Sequence, residues 1–106
     1  MCIRDSAIVV DDTADLDLAT PAIVFGAVGT AGQRCTSTRR VITQASIADT
    51  VIQRLINAYK QVNIGEPLKK GTLMGPLVNQ GAVDEYMDAI NAVSYTHLTL
   101  PTICSV

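Results

Sequence analysis

The chain has 106 residues, of which 48% are hydrophobic and 17% are charged, and its formal net charge is −2. This size and composition predict one small domain with an aliphatic core, and they exclude an intrinsically disordered chain. The near-neutral charge predicts no nucleic-acid partner. No apolar run approaches the roughly 18–20 residues that a membrane-spanning helix needs, so no membrane partner is expected.

The cysteines are odd in number and widely spaced, at Cys2, Cys35 and Cys104. This pattern fits neither a disulfide framework nor a zinc site, and it favours a reducing compartment. The start, MCIRDS, contains no apolar stretch that would form a signal peptide. We therefore expect a cytoplasmic protein.

The first half of the chain alternates strand and helix patterns. Ala7–Val10 is a short apolar run that predicts a buried strand. A helical pattern follows, for which Asp12 is the expected N-cap and Gly32 the expected C-terminal stop. Pro21 lies inside this pattern, so we expect either a kink near Ala19 or a new helix start at the proline.

The second half continues with a strand over Arg39–Gln44, and Ser46 and Asp49 form a capping-box pattern before a helix. Helical spacing joins Ala48, Val51, Ile52, Leu55, Ile56, Tyr59 and Val62. Asn79 is positioned to cap a last helix. The strand-helix-strand-helix-helix order predicts the α/β class, with an incomplete sheet that needs partner strands from a longer chain or another subunit.

The two ends differ from the rest of the chain. Residues 1–6 and 93–106 resemble translated sequencing-adapter sequence, and we expect only residues 7–92 to be natural. This interpretation removes the outer cysteines and the one histidine, His97, from the candidate site residues. The alternative is a C-terminal edge strand over Thr96–Ile103, a segment rich in β-branched residues.

Cys35 is the leading candidate for chemistry. It lies in a polar segment with Arg34, Arg39 and Arg40, and cations near a thiol favour the thiolate, which is the nucleophile. Its own backbone N–H would lie beside a carbon under attack, where an oxyanion forms. An inert buried cysteine is the alternative. Because the one histidine lies in the foreign-looking tail, a Cys-His hydrolase is disfavoured and aldehyde oxidation by a thiolate fits better.

Two other patterns point elsewhere. AIVVDD at Ala7–Asp12 resembles the first strand of a response-regulator receiver domain, but Asp49 falls at a predicted helix start instead of a strand end. Gly26, Gly29 and Gly32 form GxxGxxG, not the GxGxxG of a dinucleotide site. We interpret these glycines as close packing at a helix end.

Three ordered motifs resemble those of the aldehyde dehydrogenase superfamily. Gly32–Cys35 looks like the family's catalytic cysteine motif, Val62–Pro67 like its Val-x-x-Gly-Asp-Pro turn, and Gly71–Leu77 like its Gly-Pro-Leu segment. The form VGTAGQRCTSTRR is most similar to the α-aminoadipic semialdehyde (antiquitin-like) branch. The departures are Val28, where many relatives have Phe, and Ser37, where a smaller or non-hydroxyl residue is commoner, and we expect neither to touch the nucleophile.

This resemblance implies a partial catalytic domain over residues 7–92. Cys35 would attack an aldehyde to give a thiohemiacetal, NAD or NADP would take the hydride, and water would release the acid from a thioester. Arg34 is the candidate substrate-binding residue, reaching for the carboxylate of an amino-acid semialdehyde. No cofactor-binding or metal-ligating residue can be named, because the cofactor would be bound by parts missing from this chain.

The same resemblance implies a small-molecule aldehyde as ligand and a homo-oligomeric parent enzyme. The isolated chain is expected to be inactive, because it contains no complete nucleotide-binding fold. The alternative function is a non-catalytic α/β module that packs in an oligomer.

Overall fold

The computed structural model describes residues 6–96. Its elements, in chain order, are β1 (Ala7–Val10), α1 (Leu16–Val28), β2 (Arg40–Thr43), a 3-10 turn (Ala45–Ile47), α2 (Ala48–Tyr59) and α3 (Gln80–Thr96). The predicted α/β class and the strand-helix-strand-helix-helix order are confirmed.

The sheet consists, within residues 6–96, of β1 and β2 in parallel, with Ala7 opposite Arg40 and Val10 opposite Thr43. The pairing continues past the strand ends, where the Arg39 N–H donates to the Ser6 carbonyl at 2.8 Å. Two strands alone make a marginal sheet. The prediction of an incomplete sheet is therefore confirmed.

The core lies between this sheet and the first two helices. Val10 from β1, Ile23 from α1 and Val51 from α2 are at most 3% exposed and pack together. Partly buried side chains surround them, namely Ile8, Ala14, Leu16, Val41, Ile47 and Leu55. One buried residue from each element therefore joins β1, α1 and α2.

The N-terminus of α1 is capped by Asp15, so the predicted cap at Asp12 is wrong. The Asp15 carboxylate accepts from the N–H groups of Asp17 at 2.9 Å and Leu18 at 3.4 Å. Asp12 forms a reciprocal pair with Gln44, donating its N–H to Oε1 at 3.0 Å and accepting from Nε2 at 3.1 Å. The Asp12 carboxylate, which the sequence pattern predicted as the helix cap, therefore binds Gln44, 32 residues away in the chain.

Helix α1 runs through Pro21 without interruption, so a new helix start at the proline is wrong. The proline removes one backbone hydrogen bond. The buried Ile23 holds the helix against the core, and Asp17 also forms an exposed ion pair with Arg54 of α2. The helix ends at Val28, before the predicted stop at Gly32.

The other two predicted caps have opposite outcomes. Asn79 caps α3 as predicted, since its Oδ1 accepts from the Ala82 N–H at 2.9 Å. The capping box at Ser46 is wrong, because α2 begins after Ile47 with no side-chain cap. The 3-10 turn leads directly into α2, and its Ala45 carbonyl accepts from the Ala48 N–H.

Helix α3 continues to Thr96, past the start of the foreign-looking segment at residue 93. Residues 1–5 and 97–106 lie outside the described part of the chain, so most of both predicted foreign ends and most of the alternative edge strand lie there too. No helix within residues 6–96 has the length and apolarity to cross a membrane.

We expect Ile23→Ala to lower the free energy of unfolding by about 2–5 kcal/mol, because it leaves a cavity among the three buried side chains. Leu18→Ala is the matched control in the same helix, where the side chain is 71% exposed. It should change stability by less than about 0.5 kcal/mol. Urea unfolding monitored by circular dichroism measures both, and equal losses would contradict the core assignment.

Candidate functional site

Cys35 lies on the connection between α1 and β2, which begins with an unusual backbone. Thr30, Ala31 and Gly32 all have left-handed φ values, of 92°, 53° and 71°. Such a value is costly for a β-branched threonine. Bonds from the N–H of Ala31 to the Val28 carbonyl at 2.8 Å, and from the N–H of Gln33 to the Thr30 carbonyl at 3.1 Å, close this reversal.

The thiol itself is carried by a turn over residues 34–37. The Ser37 N–H donates to the Arg34 carbonyl, and the Arg34 N–H donates to Ser37 Oγ, both at 3.2 Å. Within residues 6–96 the Cys35 thiol is free and exposed, so it is not a buried cysteine in this part of the chain. Within residues 6–96 the Cys35 N–H has no hydrogen-bond acceptor. The turn therefore carries an exposed thiol and a backbone N–H without an acceptor among residues 6–96 on one residue.

Side chains on either side of the turn hold it to the surrounding chain. The Gln33 amide donates to the Thr30 carbonyl at 2.9 Å and accepts from the Val78 N–H at 2.8 Å. The Arg39 guanidinium donates from Nη2 to the Gly32 carbonyl at 3.0 Å. Arg39 thus has a structural role in the loop, and Gln33 connects the cysteine loop to the segment that follows the Gly-Pro-Leu motif.

Gly26 lets the returning chain pass directly over α1. The Thr38 N–H donates to the Gly26 carbonyl at 2.9 Å, and a Cβ at Gly26 would overlap Thr38 Oγ1. A Cβ at Gly29 would lie 2.6 Å from the Phe25 carbonyl oxygen. Close packing at the helix end is therefore confirmed as the reason for these two glycines.

Arg34 immediately precedes the thiol and is exposed. Both of its backbone polar groups are bonded to Ser37, so its Cα position is set by the same turn that carries Cys35. The two predicted site residues therefore lie together on one exposed turn.

Within residues 6–96, the glycine triplet is not placed as a dinucleotide-binding loop. The glycine triplet lies at the C-terminal end of α1, whereas pyrophosphate binding uses the N-terminus of a helix and its free N–H groups. Asp49 lies in the first turn of α2, not at a strand end, which excludes a receiver-domain site within residues 6–96. This part of the chain also has no group of three His, Cys, Asp or Glu side chains that could hold a metal ion.

The sequence did not reveal two of the contacts that hold the turn. Ser37 stood out only as a departure from the family pattern, and no local signal connected Gln33 with Val78, 45 residues away. Both contacts depend on how the chain folds back on α1.

Comparison with known proteins identifies the family. The aldehyde dehydrogenase family model matches residues 5–103. Aldehyde dehydrogenase family 7 member A1 of Brassica napus is 55% identical over 73 residues, covering 69% of this chain and 15% of that protein. The α-aminoadipic semialdehyde dehydrogenase of Rattus norvegicus is 45% identical over 86 residues, covering 81% of this chain and 16% of that protein.

The fold comparison agrees. The crystal structure of betaine aldehyde dehydrogenase from Staphylococcus aureus in complex with NAD+ superposes with a TM-score of 0.72 at 31% identity, covering 82% of this chain and 18% of that one. The chain belongs to the aldehyde dehydrogenase family of oxidoreductases. Its relatives include family 7 members and α-aminoadipic semialdehyde dehydrogenases, which confirms the predicted branch. It spans less than a fifth of the length of the proteins named here.

We expect Gly26→Ala to lower the free energy of unfolding by about 1–3 kcal/mol, because the new methyl group displaces Thr38. Adding Thr38→Ala should recover most of the loss, since it removes the overlapping hydroxyl. Gly81→Ala in α3 is the control, where the added Cβ has an ordinary 3.4 Å contact. Thermal unfolding measures all variants, and a double variant no more stable than Gly26→Ala would contradict the assignment.

Proposed function

We propose that this chain is the nucleophile-bearing segment of an NAD(P)-dependent aldehyde dehydrogenase, with Cys35 as the nucleophile. The observation that carries the proposal is the exposed thiol on a turn whose own N–H has no acceptor among residues 6–96. Membership of the aldehyde dehydrogenase family supports it. So does the bound NAD+ in the related betaine aldehyde dehydrogenase.

The chemistry starts at the sulfur. The Cys35 thiolate forms a bond to the aldehyde carbon, and the carbonyl π electrons move to oxygen, giving a thiohemiacetal oxyanion. In this proposal the Cys35 N–H donates to this oxygen and stabilises the charge as it develops. Loss of hydride turns the adduct into a thioester, and water then releases the carboxylic acid and the free thiol.

Residues 6–96 offer no site for the hydride acceptor, so the proposal assigns NAD(P)+ binding to sequence outside this chain. The residue that deprotonates the attacking water is assigned there as well. On this basis, the isolated chain is inactive, because hydride transfer requires the nicotinamide to be held within reach of the adduct.

Arg34 is the proposed substrate-binding residue. Its guanidinium can form two parallel hydrogen bonds with a carboxylate at the far end of an amino-acid semialdehyde. Its exposure and its place next to Cys35 support this role, as does the similarity to α-aminoadipic semialdehyde dehydrogenases. The alternative is that its side chain extends into solvent or pairs with a structural acid.

In the full-length enzyme, we expect Cys35→Ser to reduce NAD(P)H formation from an aldehyde by about a thousandfold or more, because a serine hydroxyl is a far weaker nucleophile at neutral pH. Thr50→Ser, at an exposed position of α2, is the control and should leave the rate unchanged. The 106-residue chain alone should form none. Full activity in Cys35→Ser would favour the non-catalytic module instead.

Replacing Arg34 with alanine in the full-length enzyme should lower kcat/KM for semialdehyde acids by roughly ten- to a hundredfold. This loss corresponds to a charge-assisted hydrogen bond of about 1.5–3 kcal/mol. Plain aliphatic aldehydes have no carboxylate and should lose little. Steady-state kinetics with both substrate types measures the difference. Equal losses for the two would show that Arg34 only supports the turn or tunes Cys35.

A further inference from the structure

Ser37 is the buried polar side chain of the described residues, at 4% exposed. Its Oγ accepts from the Arg34 N–H and its own N–H donates to the Arg34 carbonyl, each at 3.2 Å. Two bonds between the same two residues close the four-residue turn, and one of them requires the hydroxyl. An alanine at this position would keep the backbone bond and lose the side-chain bond.

The two central residues of the turn, Cys35 and Thr36, are exposed, and within residues 6–96 neither N–H has an acceptor. Within residues 6–96, the one further hydrogen bond of Cys35 is long, at 3.5 Å, from Ser6 Oγ to the Cys35 carbonyl. The position of the thiol therefore depends mainly on the closure between residues 34 and 37. The bond is part-buried, because its acceptor Ser37 is buried while Arg34 is exposed, so water competes less for the hydroxyl than at an exposed site.

We propose that Ser37 is a positioning residue that holds the Cys35 thiol and the Cys35 N–H in the geometry for attack on the aldehyde. The inference rests on the proposed function of Cys35. The hydroxyl that departs from the family pattern therefore has a structural use here, since Ser37 Oγ accepts from the Arg34 N–H and an alanine could not. Because the nucleophile and the oxyanion donor belong to the same residue, opening of the turn displaces both together.

Such a displacement acts on the chemical step more than on substrate binding. A shift of about 1 Å in a reacting group can cost around a hundredfold in rate. In the full-length enzyme, Ser37→Ala should therefore lower kcat by roughly ten- to a hundredfold and change KM for an aliphatic aldehyde by less than about threefold. Ser37→Thr retains the hydroxyl and should recover most of kcat.

The experiment is steady-state kinetics with kcat expressed per active thiol, counted as radiolabelled iodoacetamide on the Cys35 peptide of the folded protein. This normalisation separates positioning from folding, because a merely structural role would lower the number of active thiols or the thermal midpoint without changing kcat per thiol. Ser46→Ala is the matched control. Ser46 is exposed on the 3-10 turn that follows β2, whereas the cysteine turn precedes β2.

A kcat per thiol within twofold of wild type in Ser37→Ala would overturn the proposal. If Ser37→Ala yields no folded protein, Ser37→Thr tests the proposal instead. A near-wild-type kcat per thiol supports the role of the hydroxyl, and a tenfold loss of kcat per thiol overturns it. Failure of the proposed function gives a different result. In that case the Cys35→Ser variant would keep wild-type activity.

Discussion

The parallel pairing of β1 with β2 is the constraint on which the rest of the structure depends. Parallel strands cannot be joined by a tight hairpin, so the chain must leave the sheet after Val10, cross over it and return in the same direction before Arg40. Helix α1 makes the crossing, and the buried Ile23 fixes it against the strand and α2. The cysteine turn lies on the return path, so the strand register determines where the thiol is presented.

The return path has a backbone cost, which is offset by hydrogen bonds. Three successive left-handed residues, one of them Thr30, are needed to reverse the chain directly after α1. The bonds of Gln33, Arg39 and Thr38 to backbone groups on both sides of the reversal hold it in place. The polar composition of this segment therefore has a structural purpose beside its chemical one, and Cys35 and Arg34 are left exposed on a supported turn.

The apolar surface is extensive for a chain of this size. Val9 in the sheet, Leu68 in the loop and Tyr86 in α3 are 73%, 94% and 57% exposed. An isolated domain rarely leaves so many large apolar side chains in water. The proposed function accounts for this surface, because a longer enzyme would cover it with further strands and helices.

The order of the elements, the Asn79 cap and the cysteine motif could be predicted from the sequence, because each depends on residues a few positions apart. Periodicity of apolar residues shows which face of a segment is buried, and a cap requires only an acceptor three residues before the N–H it binds. The same local reasoning placed the cap at Asp12 and expected either a kink near Ala19 or a new helix start at Pro21. It had no means of seeing that Gln44 pairs with Asp12 or that packing carries α1 through the proline.

Only the tertiary structure decided how the candidate site is held. The vacant N–H of Cys35, the closure of its turn by Ser37 and the bond from Val78 to Gln33 all depend on backbone conformation or on partners distant in the chain. A sequence pattern shows which groups are present. Which donor meets which acceptor is set by the strand register and by the angle at which α1 crosses the sheet.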